Sequence, residues 1–251
     1  MAGHNKWSKV KHIKAREDAK KGKAFSKLSK EISIAARDGG GDPSMNPRLR
    51  TAIDAAKSVS MPKDNIERAI KKGTGELGGD AIEEVTYEGF GPSGVALIVE
   101  VSTDNKNRSV ADIRSIFNKA NGTMGTTGSV SHLFRRLGEI RVDLSAIEED
   151  KLLEICLEAG AEEVANDEED HIVQTAPDAL NEVASAIIQE GIDLKSQNLV
   201  YVPEVSMAID DASQASKVVR LFETLDEYDD TLNVFANFDI PEAILEEALA
   251  N

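Results

Sequence analysis

The stretch Gly138–Thr175, GEIRVDLSAIEEDKLLEICLEAGAEEVANDEEDHIVQT, decides the fold. Glu139–Asp143 alternates apolar and polar residues, as a strand with one buried face does. A helical pattern follows from about Ile147 to Ala159, with Leu152, Cys156 and Ala159 on one face. Ala161–Asn166 and His171–Thr175 read as two strands around the acidic turn Asp167–Asp170. Beyond it, Pro177 opens a second helix to Glu190, and Ile192–Val202 reads as another strand. The order β-α-β-β-α-β predicts a ferredoxin-like split over 138–203.

Working outward, Val85–Phe90 and Gly94–Ser102 form a hairpin signal around Gly91-Pro92-Ser93-Gly94. A helix over Arg108–Ala120 follows, with Val110, Ile113, Ile116 and Phe117 inward, and Val130–Phe134 reads as extended. On the far side come a strand (Val205–Ile209), a helix (Ala212–Leu225), a strand (Thr231–Phe238) and a helix from Pro241. These closing elements supply what the middle segment lacks. A discontinuous domain, 81–137 plus 204–251, is therefore expected to carry 138–203 as an insertion.

The first 75 residues have a different character. Phe25, Leu28, Ile32 and Ala35 make an apolar stripe on a helix over Lys23–Asp38, which Gly39-Gly40-Gly41-Asp42-Pro43 ends. Asn46 caps a second helix with Pro47 in its first turn, and Pro62 opens a third that closes at Gly73. The last two helices resemble a helix-turn-helix, a corner that is common in structural settings as well. Gly73–Asp80 reads as a hinge. The prediction is an α+β protein: a basic three-helix N-terminal domain (1–75) plus two α/β domains, one ferredoxin-like and inserted into the other. A length of 251 residues suits two or three such units.

Charge separates these parts. Residues 1–72 hold 18 Lys+Arg and 8 Asp+Glu, whereas the rest hold 11 and 37, in a chain of formal net charge -16. A basic arm on an acidic body points to a polyanion as partner. Lys20, Lys23, Lys27 and Lys30 fall on one helical stripe, about 140° around the axis from the apolar one. The candidate nucleic-acid-binding residues are Lys6, Trp7, Lys9, Lys11, His12, Lys14, Arg16, Lys20, Lys23, Lys27, Lys30, Arg48 and Arg50. Lysine suits backbone grip more than base readout. Trp7 stacks on a base or anchors the tail on the helical domain; both remain open.

Other chemistry is weakly signalled. His4, His12, His132 and His171 are scattered, so no metal site and no cofactor are expected. Cys156 lies on a core face and reads as an inert thiol. Gly122–Ser129, glycine- and threonine-rich, lacks the ending of a phosphate-binding loop. Together with Thr103–Arg108 and His132 it is the best place for an active site. No nucleophile–base–orienter set accompanies it, so no enzyme is expected. The acidic runs Glu148–Asp150, Asp167–Asp170 and Glu227–Asp230 read as solvated loops and helix starts that repel phosphates. The N-terminus lacks a secretory h-region, and no apolar run approaches the roughly 20 residues that span a bilayer. No membrane partner and a cytoplasmic location are expected.

Several long blocks resemble the YebC/PmpR family. They are GHNKWSKVKHIKAREDAKKGKAFSKLSKEI (Gly3–Ile32), GGGDPSMNPRLRTAIDAAKSVSMPKDNIERAIKKG (Gly39–Gly73), YEGFGPSGVALIVEVSTDNKNRSVADIRSIFNKANG (Tyr87–Gly122) and GSVSHLF (Gly128–Phe134). The resemblance implies three domains, one helical and two α/β. It implies a probable transcriptional regulator; mitochondrial relatives are translational activators, and bacterial members are linked to translation at difficult stretches. A start directly at the motif resembles the bacterial members. The family brings no established catalytic residues. The expectation is a cytoplasmic, non-enzymatic, DNA-binding transcriptional regulator. A ribosome- or RNA-associated translation factor is the alternative, and an enzyme at the Thr103–Arg108/Gly122–Ser129 patch the weaker one.

Overall fold

The computed structural model describes residues 17–77 and 83–250. These form a mixed α+β protein with a helical N-terminal region and antiparallel sheets. Two compact units emerge: residues 131–206, and the chain on either side, up to 130 and from 207.

In the first unit, α1 (Glu17–Gly39), α2 (Pro47–Ser58) and α3 (Lys63–Gly73) surround an aliphatic core. Ile32, Ala35, Leu49, Ile53, Ala56, Ile66 and Ala69 fill it, with Phe25 and Leu28 packed at its edge. Helix α1 is already formed at Glu17, the first described residue and six before the expected start at Lys23, so Gly22 lies inside it. The same unit holds β1 (Glu83–Phe90), β2 (Ala96–Thr103), α4 (Lys106–Lys119) and the short β3 (Thr123–Met124). Its sheet is completed from the far end of the chain.

In the second unit the segment between these elements and the C-terminal ones runs β4 (Phe134–Asp143), α5 (Glu149–Glu158), β5 (Ala161–Asn166), β6 (Asp170–Thr175), α6 (Leu180–Gln189) and β7 (Ser196–Pro203). The sheet order is β5-β6-β4-β7, antiparallel throughout. That is the ferredoxin-like arrangement. Ile140, Val142, Leu152, Cys156, Val173, Val183 and Ile187 form its core.

Strand β4 starts at Phe134, five residues earlier than its sequence suggests, and Ser131–Leu133 is a single 3-10 turn. The misleading residue is Gly138. It sits mid-strand because a Cβ there would lie 2.3 Å from Thr175 Oγ1 and 2.8 Å from Leu180. A glycine inside a strand marks such a close approach.

The chain returns to the first unit through β8 (Met207–Ala208), α7 (Ala212–Asp226), β9 (Thr231–Ala236), β10 (Phe238–Asp239) and α8 (Glu242–Ala250). Strand β9 pairs with β2, giving the order β3-β1-β2-β9, while β8 and β10 form a separate parallel pair. Leu97, Val99, Ile113, Phe117, Val218 and Leu221 make this second core.

Candidate nucleic-acid interface

The helical region is held by small and polar residues where α1 meets its neighbours. Gly40 takes φ 85°, which ends α1 in the left-handed region. Asn46 Oδ1 accepts from the Leu49 N–H and so caps α2. Its Nδ2 donates to Ala35 O and Gly40 O, tying the end of α1 to the start of α2. Ser33 Oγ donates to Ala69 O at 2.8 Å. Beside it, Gly73 lies so near that a Cβ would sit 2.1 Å from Ser33 O. Helices α1 and α3 therefore meet almost backbone to backbone.

This frame fixes the face of α1 that carries Lys27 and Lys30, and the face is not bare. Lys27 Nζ lies 2.8 Å from Asp226 Oδ1, and Lys30 Nζ lies 2.8 Å from Asp230 Oδ1. Lys30 also donates to the Asp229 carbonyl. Lys30 and Asp230 keep only 19% and 11% of their side-chain surface exposed. Two residues of the candidate lysine stripe are thus engaged by carboxylates of the protein itself. Their ammonium groups meet carboxylates at the C-terminal end of α7, because β9 brings that end beside α1.

Asp230 is the hub of the contact. Its Oδ2 accepts from Arg108 Nη2 at 2.8 Å, Thr103 Oγ1 at 3.0 Å and Tyr228 OH at 3.4 Å. Burial disfavours its charge, yet hydrogen bonds from Lys30 and Arg108 outweigh burial and hold the carboxyl below its ordinary 3.8. The hydrogen bond to Asp230 in turn raises Arg108 above its ordinary value.

The two candidate arginines are also engaged. Arg48 reaches Glu31 at 2.9 Å, Asp38 at 3.2 Å and Glu84 at 3.7 Å. Arg50 donates to Pro43 O and Ser44 O, both at 3.0 Å, and braces the loop before α2. Lys20 and Lys23 lie on α1 in helical register with Lys27 and Lys30. Lys6, Trp7, Lys9, Lys11, His12, Lys14 and Arg16 lie outside the described residues. On α3, Arg68, Lys71 and Lys72 are exposed cations that composition alone did not single out.

The polar patch expected as an active site does not assemble. Thr103 pairs with Glu83 at one end of β1, and Thr123 pairs with Phe90 at the other. Seven residues of strand, about 24 Å, separate them. At the end of the Gly122–Ser129 loop, Glu88 takes the backbone donors of Gly128 and of Val130 just beyond it. Its Oε1 accepts from the Gly128 N–H at 2.8 Å and its Oε2 from the Val130 N–H at 2.7 Å. His171 is buried, with ring nitrogens 2.6 Å from Asn166 Oδ1 and 2.9 Å from Ile147 O. Burial pushes the Cys156 thiol up to about 11, so it stays protonated near neutral pH.

Residues 5–76 match the family model described as the TACO1/YebC protein N-terminal domain, and residues 82–238 match the TACO1/YebC second and third domain. The chain belongs to the TACO1/YebC family. A relative from Akkermansia muciniphila is 52% identical over 249 residues, covering 98% of this chain and 99% of its own. One from Halothermothrix orenii is 50% identical, covering 98% of each. Both are named probable transcriptional regulatory proteins. A conserved hypothetical protein of Aquifex aeolicus, known from its crystal structure, matches with a TM-score of 0.81 at 47% identity. That match covers 91% of this chain and 94% of the other.

The residues that sequence reasoning missed are the acidic partners, Asp226, Asp229 and Asp230. The signal of the last two was present as the run Glu227–Asp230, but a run reads as solvated until the topology shows what stands opposite.

Proposed function

We propose that this TACO1/YebC-family protein is a non-enzymatic nucleic-acid-binding regulator of the cytoplasm, acting on DNA in transcription through its basic N-terminal region. The supporting observation is the segregation of charge: 18 cationic against 8 acidic residues before residue 73, and 11 against 37 after it. Such a charge distribution attracts a polyanion to the basic segment and repels it from the acidic remainder of the chain. The names of the relatives agree with a regulator. Among the described residues, no helix is long and apolar enough to cross a membrane.

RNA or the ribosome is the second reading. Residues 1–72 contain 13 lysines and 5 arginines. Lysines grip phosphates as point charges, whereas bidentate base recognition favours arginine.

The test is equilibrium binding of the full chain to a 20-base-pair duplex and a 20-nucleotide RNA across salt. With about six phosphate contacts, duplex affinity drops roughly 10³-fold between 50 and 200 mM salt. No binding at low salt, or a flat salt response, rejects the proposal. A selective promoter footprint then supports transcription; salt-sensitive co-sedimentation with ribosomal subunits supports translation.

A further inference from the structure

We infer that the acidic corner Asp226–Asp230 is a built-in competitor for phosphate on α1, so that nucleic acid must displace it to reach Lys27 and Lys30. The inference rests on the nucleic-acid-binding function proposed above and adds its regulation.

The corner offers Lys27 and Lys30 what a phosphodiester strand offers: a short row of anionic and carbonyl oxygens. Asp226 Oδ1, Asp229 O and Asp230 Oδ1 take three ammonium hydrogen bonds in succession along one helix face. The two lysines stand three residues apart, about 4.5 Å along the axis. Each contact joins residues some 200 positions apart, so it belongs to the tertiary fold and not to local helix pairing.

The corner is also poorly placed for its own helix. Asp226 is the last residue of α7, whose final turn contains no basic residue. A carboxylate there opposes the negative end of the helix dipole. Lys27 supplies the cation that the last turn of α7 lacks.

Asp230 distinguishes a displaceable contact from a fixed one. When Lys30 leaves, Asp230 keeps Arg108 and Thr103 as donors. No bare buried charge results, which is the usual obstacle to opening a half-buried ion pair. The departing lysines meanwhile exchange carboxylate for phosphate. Coupling is reciprocal: nucleic acid on α1 loosens the contact with α7, and the contact weakens apparent affinity by the fraction of molecules in which it is closed.

Three full-length variants test this by fluorescence anisotropy with the duplex and RNA probes at 50 mM salt. Asp226→Asn releases Lys27 and leaves the Asp230 hub intact. Asp226→Asn/Asp230→Asn releases both lysines. Glu246→Gln, on the exposed side of α8, removes one charge that is not part of the Asp226–Asp230 corner. Tighter binding by roughly two- to fivefold per released pair, with Glu246→Gln unchanged, is expected. Unchanged or weaker binding by a folded Asp226→Asn protein overturns the inference and leaves the proposed function standing. Equal tightening by Glu246→Gln also overturns it, since net charge alone then explains the gain. Failure of wild type and every variant to bind removes the proposed function, and the inference with it.

Discussion

At the scale of single residues, Glu88 shows how a loop is fixed from inside. Its side chain is 4% exposed, and its two oxygens take the N–H groups of Gly128 and Val130. Glu88→Gln replaces one oxygen by a donor that faces another donor. A loss of about 1–3 kcal/mol is expected, read as a lower urea midpoint at unchanged slope. An unaltered midpoint would show that water replaces the lost acceptor. The same carboxylate ties the end of the glycine-rich loop to β1. Asp230 makes the complementary case. Its folded pKa is depressed, so its interactions stabilise fully above the unfolded value of 3.8 and are lost as pH falls toward the lower folded one. The stability gap between wild type and Asp230→Asn should therefore be smaller at pH 3 than at pH 7. A gap of equal size at both would exclude charge as its source.

At the scale of elements, α1 and α3 depend on a glycine that helix propensity disfavours. Replacing Gly73 by Ala gains up to about 1 kcal/mol in propensity. The new methyl would lie 2.1 Å from the Ser33 carbonyl, which is backbone and cannot swing away. Overpacking of that kind costs about 1–3 kcal/mol, so Gly73→Ala should destabilise the protein despite its better propensity. A higher thermal midpoint would show that α3 shifts freely on α1. Periodicity told strands from helices well over most of the chain, and Asn46 was legible as a cap from its place before Pro47. Gly138 was not, because a glycine in sequence does not announce whether it turns the chain or admits Thr175 and Leu180.

At the scale of the whole molecule, the inserted unit begins and ends at neighbouring points. Phe134 pairs with Pro203 across β4 and β7, and the Glu204 N–H donates to Leu133 O at 2.9 Å. Replacing 131–206 by a short Gly/Ser linker should leave the rest of the chain folding cooperatively, because insertions between close ends perturb the host little. Loss of a cooperative transition would show that the host's sheet needs the insertion. The sequence by itself determined the α+β class, the ferredoxin-like element order, the aliphatic faces and the separation of charge. Each depends on residue type and spacing within one segment, which the chain order preserves. Only the tertiary structure decided which charges are spent. Lys27, Lys30, Arg48 and Arg50 look alike as cations in sequence, yet each meets a partner chosen by packing. Two of those partners lie some 200 residues away, at the end of α7, where the pairing of β9 with β2 delivers them. An ion pair forms over a few ångströms of space, and separation along the chain does not encode that distance.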